Sequence, residues 1–232
     1  NQMGEIRRNE REKRKMEKKL LQSQINPHFL YNTLEMINSY AFLEDPQKVE
    51  QLVSALSRFY KLSLNHGKDV YQLWQELKLV EAYFEIQKIR YPGCLSLKID
   101  VPSSMMQYAI PNITLQPLIE NAINYGFRAG VRELNICLRA FRRDGWLHLL
   151  VTDDGRGMQP EQLEKIREEL SQTRNIDSFG EHIGLKNVYL RLYLTFGEQM
   201  NMSVESRLME GTQVEMSFAV MEWKEEAECI PH

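Results

Sequence analysis

The sequence predicts an α+β protein in two parts, a helical hairpin followed by a two-layer sandwich of helices on a mainly antiparallel sheet. Three observations predict it. Apolar residues recur at helical spacing from Gln24 to Asn65, interrupted once by Asp45-Pro46. After Gly67 period-two stretches appear, as in "CLSLKIDV". Helical and alternating segments then interleave to about residue 220, with glycine turns between paired strands.

The first helix is predicted from Gln24 to Leu43, with Pro27 inside it. Pro27 lacks an N–H and crowds the carbonyl four residues back, so a bend is expected there. Leu30, Leu34, Ile37 and Ala41 make its apolar stripe. Asp45 is placed as N-cap and Pro46 as first residue of a second helix, 46–65, whose apolar face carries Val49, Leu52, Val53, Leu56 and Phe59. Asn65-His66-Gly67 ends it. Such a hairpin cannot cover both apolar faces alone, so a second copy is expected to complete a four-helix bundle. Beyond it, 71–90 reads as a long amphipathic helix, 95–101 as a strand and 112–125 as a helix. "LNICLRAFRRDGWLHLLVT" reads as a hairpin turning at Asp144-Gly145. Helices near 160–171 and 185–195 precede a last hairpin turning at Glu210-Gly211.

Composition narrows the function classes. The 232 residues allow one large domain or two small ones with true cores. A net charge of −3 provides no bulk attraction, so no nucleic-acid partner is expected. No apolar run reaches the ~18 residues of a spanning helix, and no signal peptide is present, so no membrane contact is expected of this stretch. The start at Asn1 rather than Met suggests a piece of something longer. Cys94, Cys137 and Cys229 are odd in number, far apart and in no metal-ligand spacing; they read as reduced cysteines of a cytosolic protein. Residues 1–22 are dense in Lys and Arg, and read as a solvated helix, a coiled-coil connector or a basic stretch beside an anionic surface; the connector is preferred.

His28, Asn32, Glu35 and Ser39 share one polar helix face, so His28 is expected to meet water. Two readings fit it: a surface histidine of no consequence, or a nucleophile whose pKa lies near the working pH. No His or Cys stands three or four residues away to share a metal.

Three later stretches ask for a joint explanation. In "LQPLIENAINYGF", Leu115, Leu118, Ile119, Ala122 and Ile123 form a buried stripe, while Asn121 offers a neutral amide oxygen suited to Mg²⁺ and Glu120 a base or water-holding group. In "VTDDGRGM", a strand runs into Asp153, an acceptor fit for an exocyclic amine, and Gly155 and Gly157 permit a sharp turn near a flat ligand. In "FGEHIGLKNVYLRLYLTFG", Gly180 and Gly184 precede a helix whose first N–H groups can hold phosphate. Taken singly, each stretch also reads blandly, as a solvated helix, a plain DG turn and a loop–helix junction. P-loop and Rossmann fingerprints are absent.

Taken together, "QINPHFLYNTL", "TLQPLIENAINYG", "DDGRGM" and "IGLKNVYLRL" resemble the LytS/YesM-like branch of bacterial sensor histidine kinases, over about residues 20–220. The resemblance implies a connector at 1–22, a dimerisation and phosphotransfer hairpin at 23–66, a Bergerat-type (GHKL) α/β sandwich ATP-binding domain at 67–222, and a tail at 223–232. It implies His28 as phosphoacceptor, with Asn32 and Glu120 in catalytic parts, and Mg²⁺ on Asn121. ATP is then expected against Asn121, Asn124, Tyr125, Asp153, Gly155, Gly157, Met158, His182, Gly184 and Leu185, under a mobile lid of roughly 158–183. A homodimer, an aspartate of a response regulator receiver domain as partner, and the cytoplasmic portion of a membrane-anchored protein are further implications. Two departures stand out. Asn124 and Tyr125 occupy places where the family often has a basic residue and a histidine, and His182 replaces the first glycine of its second glycine box. The rival readings are a GHKL-type ATPase and a nucleotide-sensing dimeric module; neither needs the exposed histidine helix.

Overall fold

The computed structural model describes residues 27–63, 70–127, 133–172 and 183–221. Two helices come first among the described residues, α1 (Pro27–Phe42) and α2 (Pro46–Ser63). Then come β1 (Val70–Gln72), α3 (Leu73–Arg90), β2 (Leu95–Asp100), β3 (Ala109–Pro111) and α4 (Gln116–Gly126). The hairpin of β4 (Leu134–Arg143) and β5 (Trp146–Asp153) follows, then α5 (Pro160–Gln172), α6 (Ile183–Phe196), β6 (Met200–Arg207) and β7 (Gly211–Ala219). The main sheet has order β2-β4-β5-β7-β6, antiparallel except for the parallel pair β2–β4. A small ribbon pairs β1 with β3. The sequence pattern does not announce it, because three-residue strands are too short to show a period.

Alternation along the strands decides which face is covered. Ile136, Leu138 and Ala140 of β4, Leu147, Leu149 and Val151 of β5, and Val214, Met216 and Phe218 of β7 are all buried, while Asn135 and Arg139 stay exposed. The helices α3 to α6 pack on that apolar side. The β4–β5 turn is of the mirror-image kind that fits strand twist, with φ of 52° at Asp144 and 82° at Gly145. In the last hairpin the connection is 208–210, one step earlier than expected, and Met209 takes the left-handed conformation at φ 66°.

The first helices differ from expectation in which face they bury. In α1 the buried residues are Phe29 and Thr33, with Met36, Ile37 and Tyr40 partly covered; Leu34 and Ala41 are exposed. The reason is α3, which packs against α2 and takes the aromatic side of the hairpin. Phe59 was expected to await a second copy, but it is buried within the chain. Its ring lies 5.0 Å from Phe29 and 6.1 Å from Tyr83 of α3. Thr33 is buried at little cost because its hydroxyl donates to the Phe29 carbonyl at 2.8 Å. α3 is not the one-faced helix its sequence suggests. It touches α2 as well as β2 and α4, so Leu73, Leu77, Val80, Tyr83, Phe84 and Ile86 are all buried.

The polar composition of 159–180 suggests few core residues for the expected lid, yet its first half supplies three. Leu163, Ile166 and Leu170 of α5 are buried, and the Arg167 guanidinium donates from Nε and Nη2 to the Val204 carbonyl at 3.1 and 3.0 Å. The remainder of the expected lid, 173–182, lies outside the described residues, as do the connector 1–22, the chain upstream of Pro27 where a bend was expected, His66-Gly67 and the tail 223–232.

One buried charge braces three helices. Glu76 of α3 is fully buried, and its carboxylate accepts from the backbone N–H of Ile113 at 2.5 Å, Thr114 at 2.9 Å and Leu115 at 3.0 Å. Arg191 of α6 donates to the backbone and side-chain oxygens of Asn112 at 3.1 and 2.8 Å. Burial pushes the Glu76 carboxyl up, while the three amides and the Arg191 charge pull it down. Glu76→Ala would orphan three buried donors, at ~1–3 kcal/mol each. Urea unfolding should show a loss of about 3–5 kcal/mol, with Glu76→Gln intermediate. A change below about 1 kcal/mol would remove the brace from this account.

Candidate functional site

The site lies where α4, the end of β5, the β6–β7 turn and the start of α6 meet. Asn121 is half-buried on α4. Directly against its side chain sits Gly184, where an added Cβ would fall 3.0 Å from Asn121 Nδ2 and 3.1 Å from Oδ1. The amide therefore faces the first turn of α6, whose N–H groups lack intrahelical partners. Leu185 turns its side chain into the core and leaves only its backbone to that end.

Asp153 closes β5. Its Oδ1 accepts the Gly155 N–H at 2.9 Å. Burial raises its pKa to about 6, against the opposing hydrogen bonds from the Gly155 and Thr212 amides, and the neighbouring Asp154 raises it further. Asp154 has a different task. Its two oxygens take the backbone and side-chain N–H of Asn135, each at 2.8 Å, and pin the loop to β4. One aspartate is structural; the other is held desolvated at an open end of the sheet, a marker of a binding role.

The glycine turn is fastened on both sides. Arg156 N–H donates to the Gly126 carbonyl at 2.7 Å, Met209 N–H to the Arg156 carbonyl at 2.6 Å, and Met158 N–H to Ser206 Oγ at 2.9 Å. Gly157 has φ 63°, and a Cβ there would collide with the Arg207 carbonyl oxygen. Gly155 would meet the Gly126 backbone and, at 2.7 Å, Asp153 Oδ1. Both glycines are thus required by close backbone approach as well as by turning. The loop carrying Asp153 is thereby locked to the C-terminal end of the helix carrying Asn121.

The other expected residues are placed as follows. Asn124 and Tyr125 are exposed, Tyr125 by 60%. Met158 is half-buried against the core. Glu120 is half-buried, and its charge bears on the Tyr83 hydroxyl, raising that pKa behind the larger effect of burial. His182 lies outside the described residues. His28 is exposed on α1, and Asn32 Nδ2 stands 3.2 Å from its Nδ1 and 3.3 Å from its Nε2. The amide thus flanks the imidazole whichever nitrogen carries the proton. Sequence reasoning missed Glu76, Arg191, Gly126 and Ser206. The signal for the first two was present: Glu76 interrupts the stripe Leu73, Leu77, Val80, and Arg191 interrupts "VYLRLYL".

Known proteins match this arrangement. The family model described as "Histidine kinase" matches residues 16–95, and that described as "Histidine kinase-, DNA gyrase B-, and HSP90-like ATPase" matches 112–221. The chain belongs to the sensor histidine kinases. It is 35% identical over 198 residues to the sensor histidine kinase YesM of Bacillus subtilis, covering 85% of this chain and 32% of the relative. It is 31% identical over 210 residues to the sensor protein kinase HptS of Staphylococcus aureus, covering 90% and 39%. It is 29% identical over 197 residues to the sensor protein LytS of Bacillus cereus, covering 84% and 33%. The chain thus spans about a third of the length of these relatives. A solved bacterial phosphotransferase shares the fold, with a TM-score of 0.51 at 15% identity over 85% of this chain and 93% of the other.

An ATP-binding domain of this family sets up a pH test. An ionised carboxylate can accept from an exocyclic amine, and a protonated one does not serve both amide and ligand donors. Because burial lifts its pKa to about 6, nucleotide affinity should fall as pH drops through about 6. Calorimetry of ADP against pH should show this step in the native chain and lose it in Asp153→Asn, whose curve reports the titration of the phosphates alone. Parallel curves would dissociate Asp153 from the base.

Proposed function

We propose that this chain is the kinase core of a two-component sensor: it transfers the γ-phosphoryl group of ATP to His28 and passes it to an aspartate of a response regulator receiver domain. The observation that carries the reading is a juxtaposition. Asn121, Asp153 and the first turn of α6 converge at one end of the sandwich, and an exposed histidine stands on a helix docked to the same sandwich. A nucleotide fold alone would fit an ATPase; the presented histidine favours a kinase.

In the proposed division of labour, Asp153 takes the adenine amine, and the N-terminal turn of α6 beside Gly184 holds phosphate oxygens. Asn121 fits a magnesium ion because its amide oxygen is a hard, neutral ligand and Mg²⁺ takes few protein ligands. A cation there would rest mainly on phosphate oxygens, as Mg²⁺ does, and would offset charge on the transferring group. An imidazole nitrogen of His28 forms the N–P bond as the bond from phosphorus to the ADP oxygen breaks. Glu120 takes the displaced imidazole proton, and Asn32 orients the ring.

Tyr31, Leu34, Phe42, Leu43 and Val53 form an exposed apolar set on α1, α2 and their connection. They support a homodimer in which a second hairpin covers them. The cytoplasmic side of a membrane-anchored sensor is the proposed setting; no helix among the described residues is long and apolar enough to cross a membrane.

Labelling with γ-labelled ATP should give an acid-labile, base-stable phosphate on the chain. His28→Gln should remove it, with binding of an ATP analogue retained within about threefold, or less than about 0.7 kcal/mol. Label persisting on His28→Gln, or acid-stable label, would overturn the assignment.

A further inference from the structure

Tyr83 lies outside every motif considered so far, yet it is among the largest fully buried side chains of the described residues. Its ring lies 5.0 Å from that of Phe29 and 6.1 Å from that of Phe59. Phe29 and Phe59 meet each other at 5.0 Å and 61°, an edge-to-face contact. Phe29 is the residue immediately after His28, and Phe59 lies on the second helix of the hairpin. The other end of Tyr83 looks toward the nucleotide helix, where the Glu120 charge bears on its hydroxyl. Glu120 is next to Asn121.

We infer that Tyr83, with Phe29 and Phe59, is a positioning element for phosphoryl transfer, which fixes the helix of His28 against α3 at one orientation while leaving the imidazole open. This rests on the reading of His28 as acceptor. Helix geometry explains why docking does not hide the acceptor. Successive residues are turned by about 100°, so seating Phe29 on Tyr83 directs His28 to the flank. The buried pair Phe29 and Thr33 and the outward pair His28 and Asn32 are the two faces that result. A brake would cover the histidine; this contact covers only its neighbour. Fixing an acceptor in reach of its donor is a large source of rate, and small misplacements are costly. The contact contributes no ligand to ATP, so its loss should appear in transfer and not in nucleotide binding.

The test uses Phe29→Leu, Tyr83→Leu and Tyr83→Phe in the full chain, with two readouts. One is the initial rate of acid-labile label at saturating ATP beside the affinity for a non-hydrolysable analogue. Both leucine variants should lose about tenfold or more in rate with affinity held within about twofold, and Tyr83→Phe should recover to within about threefold of the native rate. The other readout is hydrogen exchange, which needs no phosphorylation. Tyr83→Leu should loosen residues 28–42 while 134–153 stay protected. A native or faster rate in the leucine variants, or affinity and rate falling together, would overturn the inference. If the native chain takes no label but exchange still loosens as described, the kinase reading fails and the docking contact stands. Unchanged exchange with normal labelling of every variant removes the contact and keeps the kinase.

Discussion

Three backbone amides pointing at one buried carboxylate hold this structure in register. The turn 112–115 must deliver α4 at a fixed angle, and it does so with Ile113 at φ 51°, a left-handed conformation that a β-branched residue adopts only under constraint. Glu76 supplies the constraint from α3, and Arg191 supplies it from α6 through Asn112. The two charges do not meet in a direct pair; each grips the turn. An isolated buried carboxylate would be costly, but this one has three donors and a cation in range. The consequence reaches the site. Asn121 rides on α4 and Gly184 on α6, so their contact inherits its geometry from a network that touches no ligand.

The opposite side of the site uses backbone in place of charge. Gly126, Arg156 and Met209 form a chain of amide-to-carbonyl bonds from the end of α4 across the glycine turn to the β6–β7 connection. Such a chain works only where no Cβ intervenes, which explains glycine at 155, 157 and 126 more fully than flexibility does. Where Gly126 meets the Leu134 side chain, a Cβ would stand 2.8 Å from a methyl. Rigidity here has a chemical purpose. Asp153 is desolvated at a cost, and a loop fastened on both sides keeps it from relaxing toward water.

Most elements were legible because their periods are local. The type of each strand of β2, β4, β5, β6 and β7 follows from alternation, and the Asp144-Gly145 turn from two residues. Asn121, Asp153, Gly155 and Gly157, the residues of the proposed site, stand out in the sequence because each pairs an unusual chemistry with a nearby structural break. What failed depends on packing partners distant in sequence. The inward face of α1 was assigned to Leu30, Leu34, Ile37 and Ala41, since periodicity shows that a helix has a face but not which neighbour selects it. The same limit hid the double burial of α3, where apolar residues run nearly all round the helix. A lid with few core residues is suggested by "SQTRNIDS", although Leu163, Ile166 and Leu170 upstream have helical spacing and are buried.

The double burial of α3 bears on how the hairpin is held to the sandwich. The expected boundary near residue 67 suggests a hairpin free to swing from the sandwich, but the structure gives α3 to both. Separating them would expose Phe29, Phe59 and Tyr83, at ~1.5–3 kcal/mol for each large side chain, or about 5–9 kcal/mol together. The polar contact across the same junction, Arg58 to Glu85 at 2.8 Å, joins two half-exposed groups and adds no more than about 1 kcal/mol. The aromatic contact therefore decides the matter. Full release at each turnover would spend as much as an ordinary domain's whole stability. The edge-to-face pair of Phe29 and Phe59, with Tyr83 tilted by 40° on Phe29, therefore holds α1 at one orientation on α3. The face that carries His28 and Asn32 stays outward, while the aromatic cluster keeps the distance to α3.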